Sequence, residues 1–407
     1  MVKSLNALIF SFPERLKRNT IIFIILKSLN SVWFVEAVWF FYWARFANYF
    51  QIGVIFSVLT IVWLLAEIPT GFFADRYGRK LSVNIGLLCH ILGAFLIFST
   101  QSWLYLFIGG FFENIGRAFI SGSLEALLYD DLRNNNKEKN YDQIISLTTQ
   151  FSIAIYALTV LVGGLLYIVY FRLPHFLMFV NFVIASAISF FLIEPNETFK
   201  KLEVKIRLKE LFIGFSQLFS IKLKPYLVTI TAILTLFFLY DWGFSKPAMA
   251  VNFGFYSQGQ GIVYAVTSLL CVYIIGLLPL IRKKLGDRVG LNALLILMTL
   301  GFMFSIFKMG IWGIFILLSI EASGNLAQPW ISIVINKYID SQYRATTLST
   351  MEFLSKTPFL ILNIIAGRLL DLKLGSYFHF VIGVAFFSLL VLNLIMIKVN
   401  NNHSSSK

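Results

Sequence analysis

Glu36, Glu113, Asp241 and Glu321 each interrupt a stretch of apolar residues long enough to cross a bilayer. An ionised side chain near the bilayer centre costs roughly 2.5–3.5 kcal/mol on insertion scales, so these acids require water, a partner or a proton. The chemistry open to such a carboxyl is exchange. Neutral when closed off and ionised when wetted, it takes up either a proton or a cation. Glu113 and Arg117 are four apart on one helix and can pair, which limits the cost of burying either; Glu352 and Lys356 repeat the spacing. Glu36 and Asp241 have no cation at helical spacing on their own spans, so they, with Glu113, are the candidates for proton coupling. Trp33 and Phe40 flank Glu36, and Phe237 and Tyr240 flank Asp241, offering aromatic faces suited to flat apolar or cationic ligands. The expected substrate-binding set is therefore Glu36, Glu113, Arg117, Asp241, Glu321, Trp33, Phe40, Phe237 and Tyr240.

The elements that must position these residues are membrane helices. The chain has 407 residues, of which 58% are hydrophobic and only 13% charged, too little polar surface to cover a water-soluble fold of this size. A helix needs about 20 apolar residues to span the hydrocarbon. Twelve such spans are expected, at 20–44, 50–74, 80–99, 103–129, 143–170, 174–193, 226–249, 258–281, 290–308, 311–337, 344–368 and 376–398. With both termini in the cytoplasm, the outer segments hold only six cations, Arg45, Arg172, Lys246, Lys308, Arg368 and Lys373, and the positive-inside rule sets that orientation. The net charge of +14 then reflects the anionic inner leaflet of the membrane and not a nucleic-acid partner. Cys89 and Cys271 both fall inside spans, which leaves neither a disulfide framework nor a thiol metal site. Lys27 and His90 are solitary intramembrane residues with structural roles.

The one long polar interval, 194–225, separates residues 1–193 from residues 226–407. Within it, Leu208, Leu211, Phe212, Phe215 and Leu218 suit either an amphipathic surface helix or a plain linker. The tail at 400–407 has nothing to bury and is expected to be disordered. The two halves echo each other: Glu36 and Asp241 lie 205 residues apart, Glu113 and Glu321 lie 208 apart, and so do Gly78 and Gly286. A duplicated six-helix unit gives this pattern.

Between the second and third spans runs Gly71-Phe72-Phe73-Ala74-Asp75-Arg76-Tyr77-Gly78-Arg79-Lys80, in which two glycines permit a tight turn and the cations hold it on the inner face. This decapeptide resembles the G-x-x-A-D-R-x-G-R-K signature of the major facilitator superfamily. The resemblance implies an all-α integral membrane fold of twelve transmembrane helices in two pseudo-symmetric six-helix bundles. In that family the segment is a cytoplasmic hinge whose acid and arginines form a gate. Gly71, Asp75, Arg76, Gly78, Arg79 and Asp130 are the corresponding gating residues here, with Asp130 the acceptor for Arg76 or Arg79. Helices one, four, seven and ten line the substrate cavity in that family, and those spans carry the four acids. The second hinge, Arg282 to Arg288, keeps glycine and cations but puts Lys283 where the first has Asp75, the mark of a degenerate copy. One departure concerns direction: the glycine-proline motif of drug–proton antiporters, G-P-x-x-G-G, survives at Thr159 to Gly164 only as its paired glycines, Gly163 and Gly164.

These features point to a proton-coupled secondary transporter in the inner (cytoplasmic) membrane, exporting an amphipathic or cationic small molecule by alternating access. Uptake by symport is the runner-up. Its partners are that substrate, protons and the lipid bilayer, with no nucleic acid, no metal and no cofactor, and it is read as a monomer. A membrane-embedded lipid-modifying enzyme is disfavoured because His90, His175, His379 and His403 are scattered, and a P-loop pattern is missing, so ATP is not the direct energy source.

Overall fold

In a computed structural model describing residues 11–195, 216, 219, 223–339 and 344–405, the apolar runs are helices throughout, with no strand among the described residues. Backbone amides without water must be satisfied within the segment, and the α-helix is the open-chain solution. Nine of the described helices are long and apolar enough to cross a membrane. The other three expected spans depart from a plain helix. The first, 20–44, divides into α1 (Glu14–Asn30) and a short α2 (Trp39–Trp43); the fourth ends early, as α5 (Trp103–Ile120), before α6 (Ser123–Asn134); the sixth is α8 (Leu173–Ser189), of 17 residues. The expected amphipathic segment at 208–218 lies outside the described residues, apart from Ser216.

The chain divides into two compact units. The first takes Met1–Ala47, Val58–Leu202 and Gln260–Ala265. It holds α1, α2, most of α3 (Tyr49–Tyr77), α4 (Arg79–Phe98), α5, α6, α7 (Tyr141–Val169) and α8. Its central contact is α4 on α5, where Gly86 and Gly93 face Gly116 and Gly109. A Cβ on Gly93 would stand 2.6 Å from the Gly109 carbonyl oxygen, and one on Gly86 would stand 2.8 Å from that of Gly116. Such small-residue seams let helices approach closely in the absence of a hydrophobic drive between them.

The second unit takes Asn48–Ser57, Glu203–Gly259 and Val266–Lys407. It comprises α9 (Lys224–Asp241), α10 (Ser245–Asn252), most of α11 (Ser257–Gly276), α12 (Leu278–Phe304), α13 (Gly313–Tyr338), α14 (Arg344–Asp371) and α15 (Gly375–Ser405), together with the first residues of α3. There Asp371 caps α3, its carboxylate accepting from the Tyr49 and Phe50 amides at 2.9 Å each. The α15 helix is described as far as Ser405, into a tail that sequence reads as disordered, because an existing helix extends without a new nucleus and needs no burial to do so.

Candidate functional site

Both halves break their first helix at the acid. In the first unit α1 stops at Asn30, Glu36 lies in the irregular stretch 31–38, and α2 begins at Trp39. In the second, α9 stops at Asp241 itself and α10 begins at Ser245, 206 residues after Trp39. Non-helical backbone at membrane depth is tolerated only where it is buried in protein or lines a cavity. The two acids therefore sit where the chain leaves helical geometry.

The break in the second half folds Lys246 back inward. Its side chain is only 2% exposed, with Nζ 3.3 Å from Asp241 Oδ1 and 3.6 Å from Glu321 Oε2. Two sequence expectations are corrected here: Lys246 is no outer flanking cation, and Asp241 has a cationic partner five residues on. Helical spacing fails as a guide because Trp242, Gly243 and Phe244 lie between the two helices. Glu321 on α13 is held from the α11 side, where Thr267 Oγ1 donates to Oε2 at 2.9 Å and Ser268 Oγ donates to Oε1 at 3.1 Å. Asp241 remains one third exposed, against 6% for Glu321. The Tyr240 ring lies 5.8 Å from the ammonium and its hydroxyl donates to the Leu317 carbonyl at 3.1 Å. Phe237 is spent on packing, pressed against Gly324 of α13.

In the first unit, Glu113 lies beside Gly93 in the glycine seam, and the Arg117 guanidinium stands 5.7 Å over the Trp63 ring. The Trp33 amide donates to Thr159 Oγ1 at 3.0 Å, tying the broken first span to α7. Phe40 is buried on α2 against the edges of Trp39 and Phe41. Lys27 is not solitary: it pairs with Glu125 of α6. His90 stacks on Phe182 at 4.7 Å. Sequence places the four acids in spans one, four, seven and ten; the structure joins Asp241 and Glu321 through Lys246, while Glu36 and Glu113 belong to the other unit. The side chain of Glu352 lies outside those described, and Lys356 lies 5.4 Å from the Phe238 ring.

At the hinge, α3 ends at Tyr77 and α4 begins at Arg79, joined by Gly78 at φ 109°, a conformation that side-chain-bearing residues rarely adopt. Arg79 pairs with Asp130 of α6. Arg76 is exposed, its guanidinium 5.3 Å over the Tyr77 ring. Asp75 and Gly71 lie on the last turns of α3. Sequence reasoning missed Glu194, whose two carboxylate oxygens accept from the Arg79 and Lys80 amides at 2.7 Å each and so cap α4. Nearby, Asn19 donates to Asp131 at 2.8 Å and holds both backbone groups of Ile193. No local pattern announces these contacts, which join residues more than a hundred positions apart. No group of three or more metal-ligating residues occurs among the described residues.

The model of the Major Facilitator Superfamily matches residues 19–357, most of the chain. The chain belongs to that superfamily. It is thus a multi-pass membrane protein of a transporter family, as the hinge decapeptide implies. An MFS-type transporter of Bacillus subtilis, YxaM, is 24% identical over 87% of this chain and 89% of its own length. A Buchnera aphidicola transporter from the Schizaphis graminum subspecies is 29% identical over 42% of this chain, and the match spans less than half, 43%, of that relative. Among solved structures, a mutant form of the nucleoside transporter NupG superposes with a TM-score of 0.75 at 13% identity, covering 94% of this chain and all of that one. The peptide transporter POT in complex with sulfate gives 0.73 at 15% identity, covering 96% and 95%. At such identities the likeness concerns the fold.

Proposed function

We propose that this protein is a proton-coupled secondary active transporter that exports an amphipathic or cationic small molecule by alternating access, with Asp241 as the exchanging acid. The observation that carries this reading is the buried contact of Lys246 with Asp241 and Glu321. One ammonium faces two carboxylates, so the cluster carries a net negative charge when all three are ionised. In a low-dielectric interior that state is costly, and either a proton or a substrate cation relieves it. The two neutralising species exclude each other, which is the stoichiometric basis of antiport. Glu321 spends both oxygens on hydroxyl donors, whereas Asp241 keeps one third of its surface open. Glu36 and Glu113 are the further proton-coupling acids of this proposal, and Asp75, Arg76, Arg79 and Asp130 are its gate at the hinge.

On this proposal the protein works as a monomer in the cytoplasmic membrane with both termini inside, and it is not an enzyme. The test is transport by purified protein in liposomes under an imposed pH gradient, with a panel of organic cations. Asp241→Asn is expected to abolish proton-driven flux; flux equal to the wild type sinks the proposal. Uptake by symport is the second reading, and an inward proton gradient that raises substrate content, where export would lower it, selects it.

A further inference from the structure

The contacts around Lys246 describe a binding site for an ammonium group, and the group that fills it belongs to the chain. Two carboxylates lie 3.3 and 3.6 Å from Nζ and an aromatic ring stands 5.8 Å away, the arrangement that recognises an alkylammonium ion. Lys246 reaches the site from the far side of a helix break, on a four-carbon stem that has rotamers to withdraw into. Thr267 and Ser268 fix the Glu321 wall independently of the lysine.

We propose that Lys246 is a tethered surrogate for the substrate: the site walled by Asp241, Glu321 and Tyr240 takes a primary or secondary organic ammonium ion, which displaces the lysine side chain on binding. A tethered competitor acts at a fixed, high local concentration, so it weakens the apparent affinity of every free ammonium ion without touching the intrinsic one. In the empty carrier it stands in for the cation and offsets one of the two carboxylate charges. This inference rests on the cationic substrate proposed above and narrows it to ammonium compounds.

The probe is n-butylammonium, a free copy of the lysine head and stem, and binding to the full chain in lipid nanodiscs is followed by calorimetry. Lys246→Met, which removes the competitor and keeps the bulk, is expected to bind n-butylammonium roughly tenfold more tightly than the wild type. Adding Asp241→Asn to that variant is expected to abolish the gain. Lys246→Arg, which keeps the charge and fills the site with a planar fork, is expected to bind roughly tenfold more weakly than the wild type. Should Lys246→Met fail to fold, Lys246→Arg decides alone, and wild-type affinity in that variant overturns the inference. So does unchanged affinity in a folded Lys246→Met protein, or an absence of binding to every variant at millimolar probe. If Asp241→Asn still abolishes proton-driven flux while these affinities stay equal, the tether falls and the transporter reading survives.

Discussion

Asp287 and Lys337 form an ion pair at 3.6 Å, and it is the sign-inverted counterpart of Arg79 and Asp130. The offsets are 208 and 207 residues, matching the 208 between Gly78 and Gly286, which both take positive φ, 109° and 68°, where one helix gives way to the next. The second hinge is therefore no degenerate copy. It keeps the pair with acid and base exchanged, and adds two donors to Asp287: Arg282 at 2.7 and 3.3 Å and the Trp330 indole at 3.0 Å.

Unequal burial makes the two ends of this pair unequal in energy. Lys337 is 55% exposed, so its share is that of a surface ion pair; Asp287, at 10%, satisfies a buried indole as well. Lys337→Ala is expected to shift stability by less than about 0.5 kcal/mol, and Asp287→Ala to cost about 1–3 kcal/mol by stranding Trp330 Nε1. Thermal unfolding in detergent measures both, and equal costs would refute the asymmetry.

The two hinge glycines should also differ under the same substitution. Alanine at either position must adopt positive φ with extended ψ, an essentially glycine-only conformation that costs about 1–3 kcal/mol. At Gly286 nothing lies within 4 Å of the added Cβ, whereas at Gly78 the Glu194 carboxylate is 3.1 Å away and is already committed to capping α4. Gly78→Ala must therefore lower the melting temperature more than Gly286→Ala, and the reverse order would mean that Glu194 yields without cost.

Much of this was legible from residue order, and what was not has a common cause. Hydropathy finds the helices because backbone satisfaction leaves few alternatives, and the family resemblance of the hinge decapeptide implies an acid at Asp130 as the partner of a hinge arginine, which the Arg79–Asp130 pair matches. Lys246 escaped because a lysine after a long apolar run reads as a flank; only the break after Asp241 turns it inward. Glu194 escaped because its partners are more than a hundred residues earlier. The inverted pair escapes because a motif match compares Lys283 with Asp75 and stops there, whereas the same 208-residue offset also puts Asp287 opposite Arg79, a change of sign that only the contact with Lys337 makes meaningful.

Asp131, on α6 outside the membrane spans, ties stability to pH. Burial pushes its carboxyl above the usual aspartate range, against the smaller opposing effects of the Asn19 hydrogen bond and of Arg15. The folded state thus holds this proton to higher pH than the unfolded chain does. Stability must fall as pH rises from the ordinary aspartate value through the raised folded value, and the penalty is complete above both. Asp131→Asn should flatten that part of the melting profile and cost nothing at neutral pH. A wild-type profile that rises with pH across the window contradicts this.

Glu194 offers the most direct test of what holds the hinge. Its two oxygens satisfy the first two amides of α4 and place a negative charge at the positive end of that helix, a role worth about 0.5–2 kcal/mol. Glu194→Ala removes both acceptors and the charge, while Glu194→Gln keeps one acceptor oxygen and loses the charge. The expected order of stability is wild type, then Gln, then Ala, with the Arg79 and Lys80 amides losing hydrogen-exchange protection in the same order. Because Arg79 also carries the Asp130 pair, loosening its amide should weaken that pair as well, and Asp130→Asn in the Glu194→Ala background should cost less than it does alone. Additive costs would mean that the cap and the pair hold the hinge independently.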